Sequence, residues 1–268
     1  MKIACSTIGY TEKSLAEALQ RISSLGFKYV DLLMVENWAH INPSEIAKAP
    51  QQHATQVSEL LDRYALTAIG INGNVSASLT SQAPTEIKSN QNQAEGLIRF
   101  AHQLSISLVV LQPGSVSEGA EFDTAMDASV DALRAMALVA EKYGITLAIE
   151  AHVNSLAEKY DDALHFVEAV PGLKLAYDPS HFVMVGYELP SSEVLLPDVA
   201  HVHLRNAVRG NFQASMADGI LDFGWVLDAL DRHGYAGAVA IEYLDGRDVD
   251  IEPEILALKE LLGSRYRI

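Results

Sequence analysis

Four polar residues in the second half of the chain each stand at or beside the end of a short apolar run. TLAIE ends at Glu150, LKLAYD at Asp178 and AVAIE at Glu242, and VAHVHL carries His203 one residue from its end. Three carboxylates brought together without a cation would repel one another and their pKa values would rise. A divalent cation removes that problem. Three oxygen donors and one imidazole suit Mn²⁺, Mg²⁺, Co²⁺ or Zn²⁺, with Mn²⁺ favoured, and leave coordination positions for water or substrate. Any one of these residues alone is more often an ordinary strand-end group that caps a helix or pairs with Arg or Lys. Four on consecutive strands make a site.

The chemistry open to such a site begins with one step. An ion chelated by a carbonyl and an adjacent hydroxyl acidifies the neighbouring C–H, and a carboxylate that takes the proton leaves a metal-stabilised ene-diolate. Returning the proton to the other face epimerises the substrate. Returning it to the next carbon interconverts aldose and ketose. Expelling a β-hydroxyl or β-alkoxy group instead makes the protein a lyase. The donor set does not choose among them.

The elements that must position these groups follow from side-chain parity. Strand residues two apart share a face. Thr146, Ala148 and Glu150 therefore oppose Ile145, Leu147 and Ile149. Lys174, Ala176 and Asp178 oppose Leu173, Leu175 and Tyr177, and Ala238, Ala240 and Glu242 oppose Val239, Ile241 and Tyr243. The bulky sets must face surrounding helices, so the small and polar sets line the interior. By the same parity His201 and His203 point inward, with His201 deeper, as a supporting or core histidine. Lys174 points inward below Asp178, where it offsets acidic charge.

Strand-like runs alternate with helical patterns along the whole chain. KIACS (2–6), YVDLLM (29–34), LTAIGI (66–71) and SLVVLQ (107–112) precede ITLAIE, LKLAYD, VAHVHL and AVAIEY. Between them the apolar spacing predicts helices: one ending at Gly26, one from Pro43 to about Tyr64, a long one through Leu104, and others over 120–143, 158–170, near 191–196, 222–233 and 252–263. NGNVSASLTS reads as a loop. Eight strand-plus-helix units without a linker predict an α/β fold, a single (β/α)₈ TIM barrel spanning 1–268 as one domain. An open doubly wound sheet lacks its usual sign, because ACSTIGYTEK after the first strand has only one glycine.

Composition narrows the function. The 268 residues include 35 acidic and 19 basic ones, a formal charge of −16, which argues against nucleic acid as a partner. No apolar run is long enough to span a membrane, and no signal peptide is visible. One cysteine, Cys5, forms no internal disulfide framework. The expectation is a cytoplasmic enzyme of carbohydrate metabolism with a small carbohydrate-like substrate. No glycine-rich loop or arginine cluster indicates a phosphorylated substrate. Strand ends supply further substrate-contact candidates: His152, sharing the parity of Glu150; Asn72 and Gln112, as hydroxyl contacts; and Trp38, as an apolar wall beside His40.

The segments IEAHVNSLAEKYDDAL (149–164), YDPSHF (177–182), HVHLRNAVRG (201–210), ILDF (220–223) and GYAGAVAIEY (234–243) resemble the xylose isomerase-like TIM barrel superfamily, in particular its sugar phosphate isomerase/epimerase group. The resemblance implies a divalent-metal-dependent isomerase or epimerase of a keto-sugar or related polyol. Its metal ligands would be Glu150, Asp178, His203 and Glu242, with Glu150 and Glu242 doubling as the catalytic acid/base pair. It further implies that His181 and Arg209 touch substrate and that Glu158 sits at the rim. Relatives are often dimers or tetramers, so a homo-oligomer is expected. The alternative is a metal-dependent lyase or dehydratase acting on a keto-sugar, inosose or dehydroshikimate-like substrate. Two departures stand out. Many relatives have Lys-Asp where this chain has Arg205-Asn206, and Gly-x-Gly where it has Ala217-Asp218-Gly219. Both fall in 205–221, long for a strand-to-helix connection and therefore a lid candidate.

Overall fold

The inward and outward sets of residues close on themselves. The computed structural model describes residues 1–246 and 249–266; Arg247, Asp248, Arg267 and Ile268, which the single-domain expectation includes, lie outside the described residues. The strands are β1 (Lys2–Ser6), β2 (Tyr29–Val35), β3 (Thr67–Asn74), β4 (Leu108–Leu111), β5 (Thr146–Glu150), β6 (Lys174–Tyr177), β7 (Val199–Leu204), β8 (Asn206–Val208), β9 (Asn211–Ala214) and β10 (Ala238–Ile241). All but β8 and β9 form one closed parallel barrel, in which β1 pairs with both β2 and β10. The helices are α1 (Leu15–Ser24), α2 (Pro43–Lys48), α3 (Pro50–Arg63), α4 (Pro84–Gln103), α5 (Phe122–Tyr143), α6 (Tyr160–Ala169), α7 (Pro179–Val185), α8 (Phe223–Arg232) and α9 (Ile251–Tyr266). This is the single (β/α)₈ barrel that the alternation predicts.

Parity sorts the core as expected. Leu147, Ile149, Leu175, Tyr177, Val239 and Ile241 pack outward into one continuous apolar cluster with the helices. Each such side chain, fully buried, contributes roughly 1.5–3 kcal/mol. Leu108, Val110, Ala148 and Ala176 form a separate small layer inside the barrel. Because that layer holds two alanines, the polar residues above it have room to converge.

Several expected boundaries shift for local reasons. The helix predicted from Pro43 to Tyr64 is two helices, α2 and α3, because Pro50 starts the second one. Ala49 before it adopts φ −149°, ψ 62°, outside the helical region that a residue preceding proline avoids. β3 continues through Asn74 into the segment expected as loop. The short helix near 191–196 is a 3₁₀ turn over Leu189–Asp198. Lys174 pairs with Asp198 at 2.7 Å and does not offset the carboxylates above it.

The 205–221 segment is also more ordered than a plain loop. β8 and β9 form an antiparallel hairpin that is tied to α7 where Gly210 N–H donates to the Met184 carbonyl. Buried Asn206 organises the rest. Its amide donates to the carbonyls of Ser215 and Met216, and its oxygen accepts from the N–H groups of Ala207 and Leu221. A Cβ on Gly219 would lie 2.0 Å from that amide, so the glycine makes room for the bond network.

Candidate active site

Two glutamates approach one histidine at the C-terminal mouth of the barrel, the end where such barrels carry their chemistry. His203 Nδ1 lies 3.0 Å from Glu150 Oε1 and 3.7 Å from Glu242 Oε2. One donor atom from each of the three lies within 4.8 Å of the other two, and all three side chains are buried. The remaining glutamate oxygens are each held by an amide. Gln112 Nε2 donates to Glu150 Oε2 at 2.6 Å, and Asn72 Nδ2 donates to Glu242 Oε1 at 3.0 Å. Asn72 and Gln112 are therefore at the site, where sequence places them, but their side-chain N–H groups orient the carboxylates.

The two carboxyl groups are electrostatically unequal. Burial favours the neutral acid of Glu150, but the His203 hydrogen bond and charge outweigh it and hold the group well below the usual carboxylate range. Glu242 is pushed up to about 7 by burial, with Glu150 and Asp178 adding to the rise against His203 and Arg205. His203 is moved the other way. Burial disfavours its cation, but Glu242, Asp31 and Glu150 together raise its pKa well above the ordinary value.

Asp31, inside β2, is a site residue that the sequence reading missed. Its Oδ2 lies 3.2 Å from His203 Nε2, and the side chain is fully buried. Burial alone would raise its pKa; His201 and His203 outweigh that and lower it. A carboxylate on Nε2 fixes the imidazole plane and directs Nδ1 at the glutamates, the usual support for a metal-binding histidine. Asp31 pairs in register with Gly70 of β3, where a Cβ would lie 2.7 Å from Asp31 Oδ1. The local signal is a lone carboxylate in an apolar strand; the glycine opposite it comes only from the pairing of β2 with β3. Deeper still, His201 Nε2 sits 3.6 Å from Asp31 Oδ2, too far for a hydrogen bond, and burial lowers its pKa. His201 thus lies one level below the glutamates, where parity places a supporting or core histidine, and it forms a second group of converging donors with Asp31 and His203.

Asp178 is placed differently from the other three expected ligands. It ends β6 and caps α7, its Oδ1 accepting the Ser180 N–H at 2.9 Å ahead of Pro179 at the first helical position. Its Oδ2 accepts from Arg205 Nη2 at 2.6 Å. Arg205 also reaches Glu242 Oε2 at 2.8 Å. Sequence marks Arg205 only as a departure from relatives, and the structure puts it within the carboxylate cluster.

Around this centre lies a cavity of about 610 Å³ whose wall includes Trp38, Asn72, Gln112, Glu150, His152, His181 and Glu242. His152 and His181 pack against each other with ring centroids 3.9 Å apart and planes tilted by 49°. His181 Nε2 lies 3.2 Å from Arg205 Nη2, and since guanidinium only donates, Nε2 is the acceptor and Nδ1 carries the proton. That Nδ1 is buried without a hydrogen-bond partner among the described residues. Burial holds His181 neutral, its pKa lowered to about 3. Trp38 is half exposed at the rim.

Two expected substrate contacts lie elsewhere. Arg209 sits in the turn between β8 and β9 and projects outward, 71% exposed, toward Glu188 at 3.9 Å. Glu158 accepts the N–H of Asn154 at 2.6 Å and so stabilises the turn where Asn154 takes φ 59°. Neither lines the cavity.

The donor chemistry fits a divalent cation between Glu150, His203 and Glu242: three buried donor atoms converge, and the far nitrogen of the imidazole is held by a carboxylate. Asp178 is not among the converging donors.

The fold is similar to that of a 3-keto-D-glucoside 4-epimerase from E. coli, with a TM-score of 0.78, 16% identity and coverage of 98% of this chain and 99% of that one. It is similar also to a probable 3-DHS dehydratase from Bacillus anthracis, with a TM-score of 0.74, 16% identity and coverage of 99% and 100%. In sequence, an uncharacterized protein of Methanocaldococcus jannaschii is 23% identical over 96% of this chain and 88% of its own length. The family described as xylose isomerase-like TIM barrel matches residues 19–263, and this chain belongs to it.

Proposed function

We propose that the protein is a divalent-metal-dependent epimerase or isomerase of a keto-sugar or a related polyol. One observation carries this reading: two buried glutamates, each with one oxygen fixed by an amide, converge on a single histidine at the mouth of the barrel. Glu150, His203 and Glu242 would hold the ion. When bound, it supplies the positive charge that acidifies the C–H beside a substrate carbonyl.

The protein's own groups account for the rest. Glu150, the more acidic of the pair, takes the proton from one face of the substrate, and Glu242 delivers one from the other. Gln112 and Asn72 each hold one carboxylate oxygen, which fixes the planes of Glu150 and Glu242 at the site. The His181 Nδ1–H, buried in the cavity wall without a partner among the described residues, donates to a substrate oxygen, and Trp38 covers an apolar sugar face at the rim. Mn²⁺ is the favoured ion.

The dehydratase among the structural neighbours keeps a second reading in view. Proton removal by the same glutamate, followed by loss of a β-hydroxyl, would make a lyase acting on a keto-sugar, an inosose or a dehydroshikimate-like ring. Incubation with ketoses and keto-cyclitols in D₂O separates the two. Deuterium uptake with otherwise unchanged mass supports the epimerase or isomerase. Loss of water or an alcohol supports the lyase. No exchange and no elimination across the panel, with Mn²⁺ present, would contradict both.

A further inference from the structure

Arg205 is bound more completely than a substrate-binding arginine would be. Its Nη2 donates to Asp178 Oδ2 and His181 Nε2, its Nη1 to Glu242 Oε2 and the Glu242 carbonyl, and its Nε to Ser180 Oγ and the Phe212 carbonyl. The guanidinium lies over the Phe212 ring, 4.7 Å from its centroid, and the residue is 2% exposed. A guanidinium has five N–H bonds and does not lose its proton. Every nitrogen of Arg205 is engaged, so the group is a fixed, permanent positive charge among the acids.

Asp178 complements this arrangement. One oxygen caps α7 and the other accepts from Arg205, and Asp178 is not in the group of donor atoms formed by Glu150, His203 and Glu242. Glu242 Oε2 is shared: it is the oxygen nearest His203 Nδ1 and the one that Arg205 holds.

We propose that Arg205 is a resident cation of the carboxylate cluster, which removes Asp178 from the coordination sphere and weakens divalent-ion binding at Glu150, His203 and Glu242. Without an ion, Arg205 holds Asp178 and Glu242 together and keeps the site assembled. With an ion, it competes for Glu242 and repels the like charge. Arg205 is thus an affinity-setting residue, positioned beside the ion. The inference rests on the metal site proposed above, and its test does not depend on turnover.

The experiment uses full-length wild type, Arg205→Gln, Arg205→Lys and Asp178→Asn, each stripped with chelator. Mn²⁺ is titrated by calorimetry, and the unfolding midpoint is measured with and without Mn²⁺. Arg205→Gln is expected to bind Mn²⁺ about tenfold more tightly or better, because a fixed like charge is gone. Its metal-free midpoint falls, and Mn²⁺ restores it. Arg205→Lys, which keeps the charge, stays near wild type in affinity. Asp178→Asn loses stability but keeps Mn²⁺ binding. Unchanged or weaker binding in Arg205→Gln, or loss of binding in Asp178→Asn, overturns the proposal. If Arg205→Gln does not fold even with Mn²⁺, the Asp178→Asn result decides. Failure of the epimerase reading shows separately, as absent C–H exchange in protein that still binds Mn²⁺ as described.

Discussion

The two halves of the barrel wall contribute unlike groups to one site. β5, β6, β7 and β10 bring charge: Glu150, Asp178 at the end of β6, His203 and Glu242. β3 and β4 bring neutral amides, Asn72 and Gln112, and β2 adds Asp31 one level deeper. The amides bond the glutamate oxygens, and Asp31 bonds the histidine. In the proposed function the charged half reacts, and the other half fixes its geometry. Interchanging the two jobs would fail, since an amide cannot accept a substrate proton and a fourth carboxylate at the mouth would add repulsion.

That division can be broken from its strongest member to its weakest. Glu150→Gln and Glu242→Gln should each lower kcat by about 10²–10⁴-fold, the range for loss of a general acid or base, measured by steady-state assay on whichever substrate shows exchange. Asp31→Asn should weaken Mn²⁺ binding by about 10–100-fold, as for other residues that orient a liganding histidine, with the fold retained by circular dichroism. Asn72→Ala and Gln112→Ala each remove one hydrogen bond to a charged group, typically ~1.5–3 kcal/mol. If that bond matters mainly in the transition state, kcat falls at least about tenfold while KM changes little. Arg209→Ala, outside the cavity, should leave kcat/KM within about twofold, the size of a surface change. A large loss in Arg209→Ala would show that the charged half extends into the hairpin.

How far this site was legible in the sequence depended on how local each signal was. Glu150 and Glu242 stand out because TLAIE and AVAIE alternate small and bulky residues, and the structure sorts those sets to the inside and outside of the barrel. Asp178 has the same alternation, yet its neighbours Pro179 and Ser180 make it a helix cap, and its second oxygen is decided by Arg205, which lies between β7 and β8. Asp31 lies within an apolar run, and its meaning depends on Gly70 and His203, contacts that no local pattern announces. Arg209 follows the family motif, but the β8–β9 turn at Gly210, with φ 83°, carries it outward. The break between α2 and α3 was legible in Pro50 itself.

In the proposed mechanism Glu150 and Glu242 exchange protons with opposite faces of one carbon. This exchange is tested most directly with the two epimers of the active substrate, each deuterated at the reacting carbon, and with loss of label to H₂O followed separately in Glu150→Gln and Glu242→Gln. A crossed pattern is expected, in which each variant still releases label from one epimer and fails with the other. Equal loss from both epimers in both variants, at the wild-type rate, would contradict it.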